Sequence, residues 1–209
     1  MDWRNALWRG QHMTTRVRLL CHASTAAVRT STFPADEELD PQGLRKLSGL
    51  SRPLQHWHHC VTSPTRRATQ TAAALGLQAT IEPMLRDCDY GRWTGRTFNE
   101  VQAQEPDALA DWITDPSAAP HGGESVVAMI ARVSAWLDAQ LTVPGVVLAV
   151  THATVIRAAI VCALEAEPRS FWHIDIAPLS LTQLSGNGGR WTLVSMSSGK
   201  ADSRTDGFC

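Results

Sequence analysis

In the stretch RVRLLCHAST, residues 16–25, an apolar, strand-like run stops at a histidine, His22. The stretch VVLAVTHATV, residues 146–155, repeats the pattern and stops at His152. Short apolar runs that alternate with helical patterns are typical of β-α units and a largely parallel sheet. Such sheets bind ligands beyond the carboxyl ends of their strands. We therefore expect both histidines at one ligand-binding edge.

Further apolar runs and helical patterns continue this alternation along the chain. The runs predict strands at 16–22, 58–62, 79–82, 146–151 and 171–175. The helical patterns predict helices at 41–50, 64–75, 125–141 and 154–164. Ser63 as a cap, Pro64 in the first turn and Gly76 at the end would delimit the second helix. The Gly-Asn-Gly-Gly sequence at 186–189 predicts the turn of a terminal hairpin.

Residues 87–122 interrupt the alternation, because three prolines break them into short pieces. We interpret them as a small irregular cap over the sheet edge, with Trp93 and Trp112 packed inside it. The predicted fold class is α/β: a three-layer sandwich with a mostly parallel central sheet, helices on both faces and this cap. One domain is expected over residues 13–197, with an N-terminal extension at 1–12 and a disordered tail at 198–209.

The composition restricts the cellular location and the partners of the protein. A formal net charge of −1 leaves no surplus of Lys and Arg for a nucleic acid or an anionic membrane. The sequence has neither an apolar signal core at its start nor a run of about 20 apolar residues that could span a bilayer. The 5 cysteines form no C-x-x-C pair, which indicates neither a disulfide framework nor a cysteine zinc site. We expect a cytoplasmic protein without nucleic-acid or membrane partners.

Charged residues near the predicted strand ends indicate an anion site. The sequence TSPTRRA brings Arg66 and Arg67 to the first turn of a helix, where free N–H groups and the helix dipole also attract anions. The arginine fork matches a phosphate, and a neutral histidine beside it can attack phosphorus. Asp87 or Asp89, shielded by aromatic residues and close to the phosphate, would have a raised pKa and supply the proton for the leaving alkoxide.

Four sets of residues occur in the same order as the motifs of a known family. CHAST (21–25) stands where that family has Arg-His-Gly-Glu-Thr, and TSPTRRATQTA (62–72) is similar to Ser-Pro-Leu-x-Arg-Ala-x-x-Thr-Ala. LRDCDYGRWTG (85–95) is similar to Leu-x-Glu-x-Asp-Phe-Gly-x-Trp-x-Gly. GGES (122–125) and VTHATVIRA (150–158) are similar to Gly-Gly-Glu-Ser and Ser-His-Gly-x-Val-Ile-Arg. The chain therefore resembles the histidine phosphatase superfamily, in the branch of phosphoglycerate mutases and small phosphomonoesterases.

The resemblance implies a role for each matching residue. His22 would be the phosphorylated nucleophile, His152 would hydrogen-bond the transferring phosphoryl group, and Arg67 rather than Arg66 would clamp the phosphate. Asp87 falls on the general-acid glutamate of the family, and Asp89 on a second acidic position. The candidate phosphate-binding set also contains residues in or beside the motifs, namely Cys21, Thr25, Arg29, Glu124 and Ala153. For Glu124, framing the pocket and capping the following helix are equally compatible with the motif.

Two residues depart from the family pattern. Cys21 replaces a phosphate-binding arginine, and a charged hydrogen bond of that kind contributes about 1.5–3 kcal/mol. Arg29 is a candidate to replace that missing arginine. The alternative is that Arg29 is solvated in a surface loop. Asp87 is one methylene shorter than the usual glutamate. Cys21 also raises the alternative of a cysteine nucleophile, although seven residues separate it from Arg29 instead of the five of the cysteine phosphatases.

The favoured function is hydrolysis of a small phosphomonoester by water through a phosphohistidine on His22, with no metal or other cofactor. From Asp87 to His152 the chain has three arginines, no lysine and nine acidic residues, which disfavours a highly anionic substrate and a phosphoglycerate mutase. A catalytically weakened relative that binds a phosphorylated ligand or a protein partner is the alternative, and a homodimer is possible.

Two groups of residues in the sequence raise the alternative of metal-dependent chemistry. A metal-dependent hydrolase would use His22, His152 and Asp87 as ligands, and would lose activity on chelation. The cluster HWHHC, residues 56–60, is better explained as the start of a strand than as a metal site. Its members would point to different strand faces.

Overall fold

The computed structural model describes residues 14–49 and 56–198. The predicted N-terminal extension and all but the first residue of the predicted tail lie outside these ranges. The last residue of the helix predicted at 41–50 lies outside them as well. No helix within the described ranges is long and apolar enough to cross a membrane.

A six-stranded sheet forms the centre of the protein. Its strands, in chain order, are β1 Thr15–Cys21, β2 His59–Thr62, β3 Thr80–Ile81, β4 Gly145–Thr151, β5 Leu181–Asn187 and β6 Arg190–Ser197. They are arranged as β3-β2-β4-β1-β5-β6. The strands β3, β2, β4 and β1 are parallel to one another, whereas β5 is antiparallel to β1 and β6 is antiparallel to β5. The mostly parallel sheet of the sequence prediction is confirmed.

Helices cover both faces of this sheet. In chain order they are α1 Ala26–Thr30, α2 Pro41–Ser48, α3 Arg66–Ala74, α4 Phe98–Gln104, α5 Pro106–Thr114, α6 Val126–Gln140 and α7 Ala153–Ala163. Alternation along the strands divides the core between the two faces. Leu20 and Leu148 pack with α3, while Leu19 and Ala149 belong to the cluster that includes α6 and α7. This is the predicted three-layer sandwich.

The irregular cap consists of short helices and turns. It contains α4 and α5, which follow a capping box in which Thr97 and Glu100 bond each other's backbone. Trp93 and Trp112 are buried and their rings contact each other edge to face, with centroids 5.8 Å apart. The buried His121 packs against Trp93, with the ring centroids 5.0 Å apart. The aromatic side chains of this region thus pack into one cluster between its short helices and turns.

Two local predictions were wrong. The strand predicted at 171–175 is replaced by a 3₁₀ helix, Pro168–His173, in which Phe171 is buried. A short apolar run does not distinguish a strand from a buried helical turn, and Pro168 favours the helical start. Ser63 does not cap α3, because that helix begins at Arg66 with Thr65 as its N-cap. The terminal hairpin is confirmed, with a turn at Gly188 and Gly189 in the positive-φ conformation that glycine allows.

Candidate active site

Three neighbouring strand ends bring the candidate residues together. Cys21, the last residue of β1, is the register partner of Thr151 at the end of β4, and the N–H of His22 donates to the Thr151 carbonyl at 2.9 Å. On the other side of β4, the N–H of Ser63 donates to the Val150 carbonyl at 2.9 Å. The two histidines and the start of α3 therefore share one edge, as expected from the strand pattern.

The imidazole of His22 presents a free lone pair. Its Nδ1 lies 2.7 Å from the Ala23 carbonyl, which can only accept, so Nδ1 carries the proton and Nε2 is unprotonated. Burial, aided by the charge of Arg67, lowers the pKa of His22 to about 4. The ring is thus neutral at physiological pH, in the form required of a nucleophile.

The imidazole of His152 is bonded differently. Its ring lies edge to face with that of His22, with centroids 5.1 Å apart. Its Nε2 is 2.7 Å from the Ser63 hydroxyl, and its Nδ1 is 3.4 Å from a carboxylate oxygen of Asp87. Burial holds the pKa of His152 well below its ordinary value, although Asp87 acts in the opposite direction. Among the described residues, Nδ1 has no hydrogen-bond partner.

Arg67 provides a buried positive charge next to the histidines. It lies in the first turn of α3 and is only 1 % exposed. Its Nη2 donates to Asp87 at 2.7 Å, whereas its Nε has no hydrogen-bond partner in the described part of the chain. Arg66 points away, because its side chain is 60 % exposed and pairs with Glu38 at 3.3 Å. Of the two arginines, the structure places Arg67 at the site.

The carboxylate of Asp87 is held in its charged form. Burial acts to raise its pKa, but His152, Arg67 and a hydrogen bond from the Thr154 hydroxyl outweigh this, and the pKa lies below its ordinary value. From burial and a nearby phosphate, the sequence predicted a raised pKa for this carboxyl. In the structure the pKa of Asp87 is instead lowered, because of these three partners. Asp89 is not part of this group, since its carboxylate accepts from the N–H of Gly91 at 2.9 Å.

Two helices start at this edge, with Thr65 as the N-cap of α3 and His152 as that of α7, and neither side chain bonds the first backbone N–H groups of its helix. The first N–H of α3, from Arg66, donates instead to the Asp36 carboxylate at 2.7 Å, and the first N–H of α7, from Ala153, donates to the Cys21 sulfur. The positive end of each helix dipole still attracts anions. The edge therefore combines two helix starts with the Arg67 guanidinium.

The thiol of Cys21 is buried between the site and α7. The backbone N–H of Ala153 donates to its sulfur. Burial, with a contribution from Asp87, raises the pKa of Cys21 to about 12. A thiol that stays protonated is a poor nucleophile, which argues against the cysteine alternative.

The other candidate phosphate-binding residues make contacts of their own. Thr25 caps α1 and donates to Glu37 at 3.1 Å. Arg29 donates to Asp40 at 2.9 Å, and its exposed side chain is held there rather than against the histidines. Glu124 accepts from Arg132 at 2.8 and 2.7 Å, while the cap of α6 is Ser125. Of the two readings of Glu124, the helix cap is therefore wrong.

Sequence reasoning missed three contributors to the site. Ser63 was expected to cap a helix but contacts His152, and Thr154 was not singled out although it holds Asp87. Glu37 lies 3.6 Å from Nη1 of Arg67. The first two stand inside the recognised motifs, which is a usable signal. Nothing local identifies Glu37, because only the folded chain brings residue 37 beside residue 67.

The HWHHC segment has a structural explanation. Nδ1 of His58 accepts from the N–H of Val146 at 3.0 Å, at the entrance of β4, and β2 begins at His59. Within residues 14–49 and 56–198, no group of three or more His, Cys, Asp or Glu side chains is arranged to hold a metal ion.

These features define a class: an α/β protein with two neutral histidines, a buried arginine and an aspartate at the carboxyl edge of its sheet. The chain belongs to the histidine phosphatase superfamily, because it matches the model of branch 1 of that superfamily over residues 17–199. The resemblance drawn from the four motifs is thereby confirmed.

Several relatives support this assignment. A bifunctional protein of Mycobacterium tuberculosis is 30 % identical over 195 residues, which cover 87 % of this chain and 54 % of that protein. The chain thus spans about half the length of such curated relatives. The solved structure of mycobacterial glucosyl-3-phosphoglycerate phosphatase has a TM-score of 0.72 and 29 % identity, covering 86 % of this chain and 97 % of that one. A solved structure of a phosphoserine phosphatase from Entamoeba histolytica has a TM-score of 0.79 at 19 % identity and covers 89 % of this chain and 98 % of that one, so the two share the fold.

Proposed function

We propose that this protein hydrolyses small phosphomonoesters through a phosphohistidine on His22, without a metal cofactor. The observation that carries the proposal is the hydrogen bond from Nδ1 of His22 to the Ala23 carbonyl, which leaves a lone pair on Nε2 of a neutral ring. Nε2 attacks phosphorus and the bond to the leaving alkoxide breaks. Water then attacks the phosphohistidine, releases phosphate and regenerates the imidazole.

The phosphoryl group would be held by donors that surround the two histidines. The unpartnered Nε of Arg67 and Nδ1 of His152 are buried polar atoms that call for a ligand, and a phosphate oxygen is a suitable acceptor for each N–H. The positive ends of the α3 and α7 helix dipoles add to the same field. Such donors are most effective when charge accumulates on the transferring group.

Asp87 would supply the proton for the leaving group once substrate is bound. In the structure its charge is stabilised by His152 and Arg67. A dianionic phosphate that pairs with Arg67 removes part of this stabilisation and adds repulsion, so binding raises the pKa of Asp87. The carboxyl can then be protonated when the ester bond breaks, and the same group can take a proton from the attacking water.

The relatives support a small phosphorylated substrate. The glucosyl-3-phosphoglycerate phosphatase of Mycobacterium tuberculosis is 41 % identical over 76 residues, which make up 34 % of each protein. Phosphoserine phosphatase 1 of Hydrogenobacter thermophilus is 27 % identical over 146 residues. Because the two names specify different alcohols, we propose only the shared chemistry, hydrolysis of a phosphomonoester, for this chain.

The test is turnover of p-nitrophenyl phosphate combined with trapping of the phosphoenzyme. Wild-type protein should release p-nitrophenol and form an acid-labile, base-stable phosphoprotein. His22→Ala should abolish both, whereas His173→Ala, which alters an exposed histidine, should retain both. Turnover should persist in EDTA and stop with vanadate. A wild-type level of phosphoprotein in His22→Ala, or loss of activity on chelation, would overturn the proposed mechanism.

A second candidate is a phosphate-binding relative with weak catalysis. It is favoured by Cys21 at the position of a phosphate-binding arginine, together with the engagement of Arg29 by Asp40. Wild-type protein that binds vanadate but turns over no member of a broad phosphomonoester panel would support it. Cys21→Arg should then raise phosphate affinity and rate. If both stay unchanged, the missing arginine is unimportant.

A further inference from the structure

A cavity lined by aromatic side chains lies beside the candidate active site. We call it the aromatic cavity; its walls include Phe33, Tyr90, Phe98, Trp112, Trp172 and Arg157. Its volume is about 520 Å³, within the range of pockets that enclose a small organic molecule. The Trp112 and Trp172 rings meet edge to face with centroids 4.5 Å apart, so this wall is a packed pair rather than two separate side chains.

Arg157 is the charged residue of this cavity. It lies on α7 and its guanidinium sits 5.6 Å from the centre of the Phe171 ring. Within the described residues it forms no hydrogen bond, and its nearest carboxylate, the exposed Asp175, is 3.9 Å away. A guanidinium carries five N–H donors. Arg157 therefore retains its capacity to bind an acceptor or an anion.

The helix places Arg157 one turn from the phosphate-binding edge. Ala153, whose N–H contacts the Cys21 sulfur, begins α7, and residues four apart share a helix face about 6 Å apart. Arg157 also acts electrostatically on Cys21 and on Tyr90. Tyr90 follows Asp87 by three residues, and burial together with the charge of Asp87 raises the pKa of Tyr90. Thr154, which donates to Asp87, lies three residues before Arg157 on the same helix. Tyr90 and Arg157 therefore connect the cavity lining to the chain segments that carry the proposed general acid and the start of α7.

The arginines of the cap are occupied by ion pairs. Arg92 and Arg96 both bind Glu105. Arg132 holds Glu124 through two hydrogen bonds. These ion pairs neutralise the three arginines that lie between Asp87 and His152 in the sequence. Arg157, outside that segment, is thus the guanidinium available to a ligand in the aromatic cavity.

We propose that the aromatic cavity is the leaving-group subsite and selects phosphomonoesters whose alcohol carries a flat apolar or aromatic group with one carboxylate, bound by Arg157. Aromatic walls favour a planar group, and a guanidinium favours the planar, bidentate carboxylate. The single guanidinium of the cavity, whose one ion pair is the 3.9 Å contact with the exposed Asp175, matches one negative charge. The chemical step in this inference rests on the proposed hydrolysis, whereas the binding preference does not.

Two non-hydrolysable phosphonates test the subsite independently of catalysis. Benzylphosphonate and 4-carboxybenzylphosphonate differ only by the carboxylate, and binding can be followed by calorimetry. Wild-type protein should bind the carboxylated compound at least about tenfold more tightly, as expected for a charged hydrogen bond. Arg157→Gln should reduce this ratio to below about twofold, and Arg157→Lys should keep part of it. Arg169→Gln, which alters an exposed arginine paired with Glu167, should keep the wild-type ratio.

The outcomes separate this inference from the proposed function. Equal binding of the two phosphonates by wild-type protein, binding of neither, or a preference that survives Arg157→Gln would overturn the subsite. Wild-type protein that hydrolyses p-nitrophenyl phosphate but shows no preference would keep the proposed function and lose the subsite. Wild-type protein that prefers the carboxylated phosphonate but hydrolyses no ester would keep the subsite and lose the hydrolase.

Discussion

The ends of β1 and β4 carry the same His-Ala dipeptide side by side, yet the two imidazoles have different partners. His22 bonds the carbonyl of its own neighbour, Ala23, and presents a free Nε2. His152 uses Nε2 to contact Ser63, a residue from a third strand end, and turns Nδ1 towards Asp87. The local backbone thus sets the tautomer of one ring, while distant residues orient the other. The same dipeptide can therefore serve as nucleophile in one strand and as a positioned donor in the next.

The largest expected difference is between His22→Ala and His152→Ala. Loss of His22, the proposed nucleophile, should reduce turnover by at least about 10⁴-fold and remove the phosphohistidine expected from the proposed mechanism. Loss of a donor to the transferring group should reduce turnover by about 10²–10³-fold and leave the phosphohistidine detectable. Rapid quench with a labelled phosphomonoester measures both quantities. If the phosphoenzyme vanishes only in His152→Ala, the two roles are reversed.

Asp87→Asn should separate proton transfer from attack. For an alkyl phosphate, whose alkoxide must be protonated, the rate should fall by about 10²–10⁴-fold. For p-nitrophenyl phosphate, whose leaving group needs no proton, the fall should be much smaller. Asp89→Asn is the matched control, because Asp89 bonds Gly91 instead of the site. Equal losses on the two substrates would assign Asp87 a purely structural role.

The pH dependence of stability should reveal the neutral His22. Its pKa is about 4 in the folded protein and about 6.5 when unfolded, so only the unfolded chain binds the proton between these values. Stability should therefore fall as the pH drops from 6.5 to 4, with roughly 3 kcal/mol from this residue. Urea unfolding at several pH values measures the slope. His22→Gln should make the slope shallower, with the part that His152 contributes remaining, and His173→Gln should not change it; identical slopes in all three proteins would contradict a depressed pKa.

Ser63→Ala should have the smallest effect in this set. It removes the 2.7 Å contact to Nε2 of His152 and leaves only the 3.4 Å approach of Thr65. A single lost hydrogen bond should lower kcat by about tenfold, while phosphohistidine still forms on His22. The control is Ser195→Ala on β6, at an exposed position. An unchanged rate would mean that Ser63 does not position the second histidine.

Much of the fold follows from local patterns. The strands predicted at 16–22 and 146–151 are found within one residue, as β1 and β4, and the turn predicted over 186–189 is found at Gly188 and Gly189. The segment around Phe171 was not, because its alternation matches both a strand and a buried 3₁₀ turn, and only packing against α7 and Trp172 selects the turn. The start of α3 also differs, since Ser63 finds a partner in His152 that the local sequence does not contain.

For the site, the sequence by itself determined which chemical groups arrive at the sheet edge: two histidines, Arg67 and Asp87, through strand periodicity and ordered motifs. The tertiary structure alone decided their charge states and partners. Asp87 has a lowered pKa because Arg67, His152 and Thr154 converge on it from α3, β4 and α7. Arg157 of α7 lines one cavity with Phe33, Tyr90 and Trp112, which come from distant parts of the chain. Charge and hydrogen bonding depend on distances of a few ångströms between residues far apart in the chain, and only the folded chain fixes those distances.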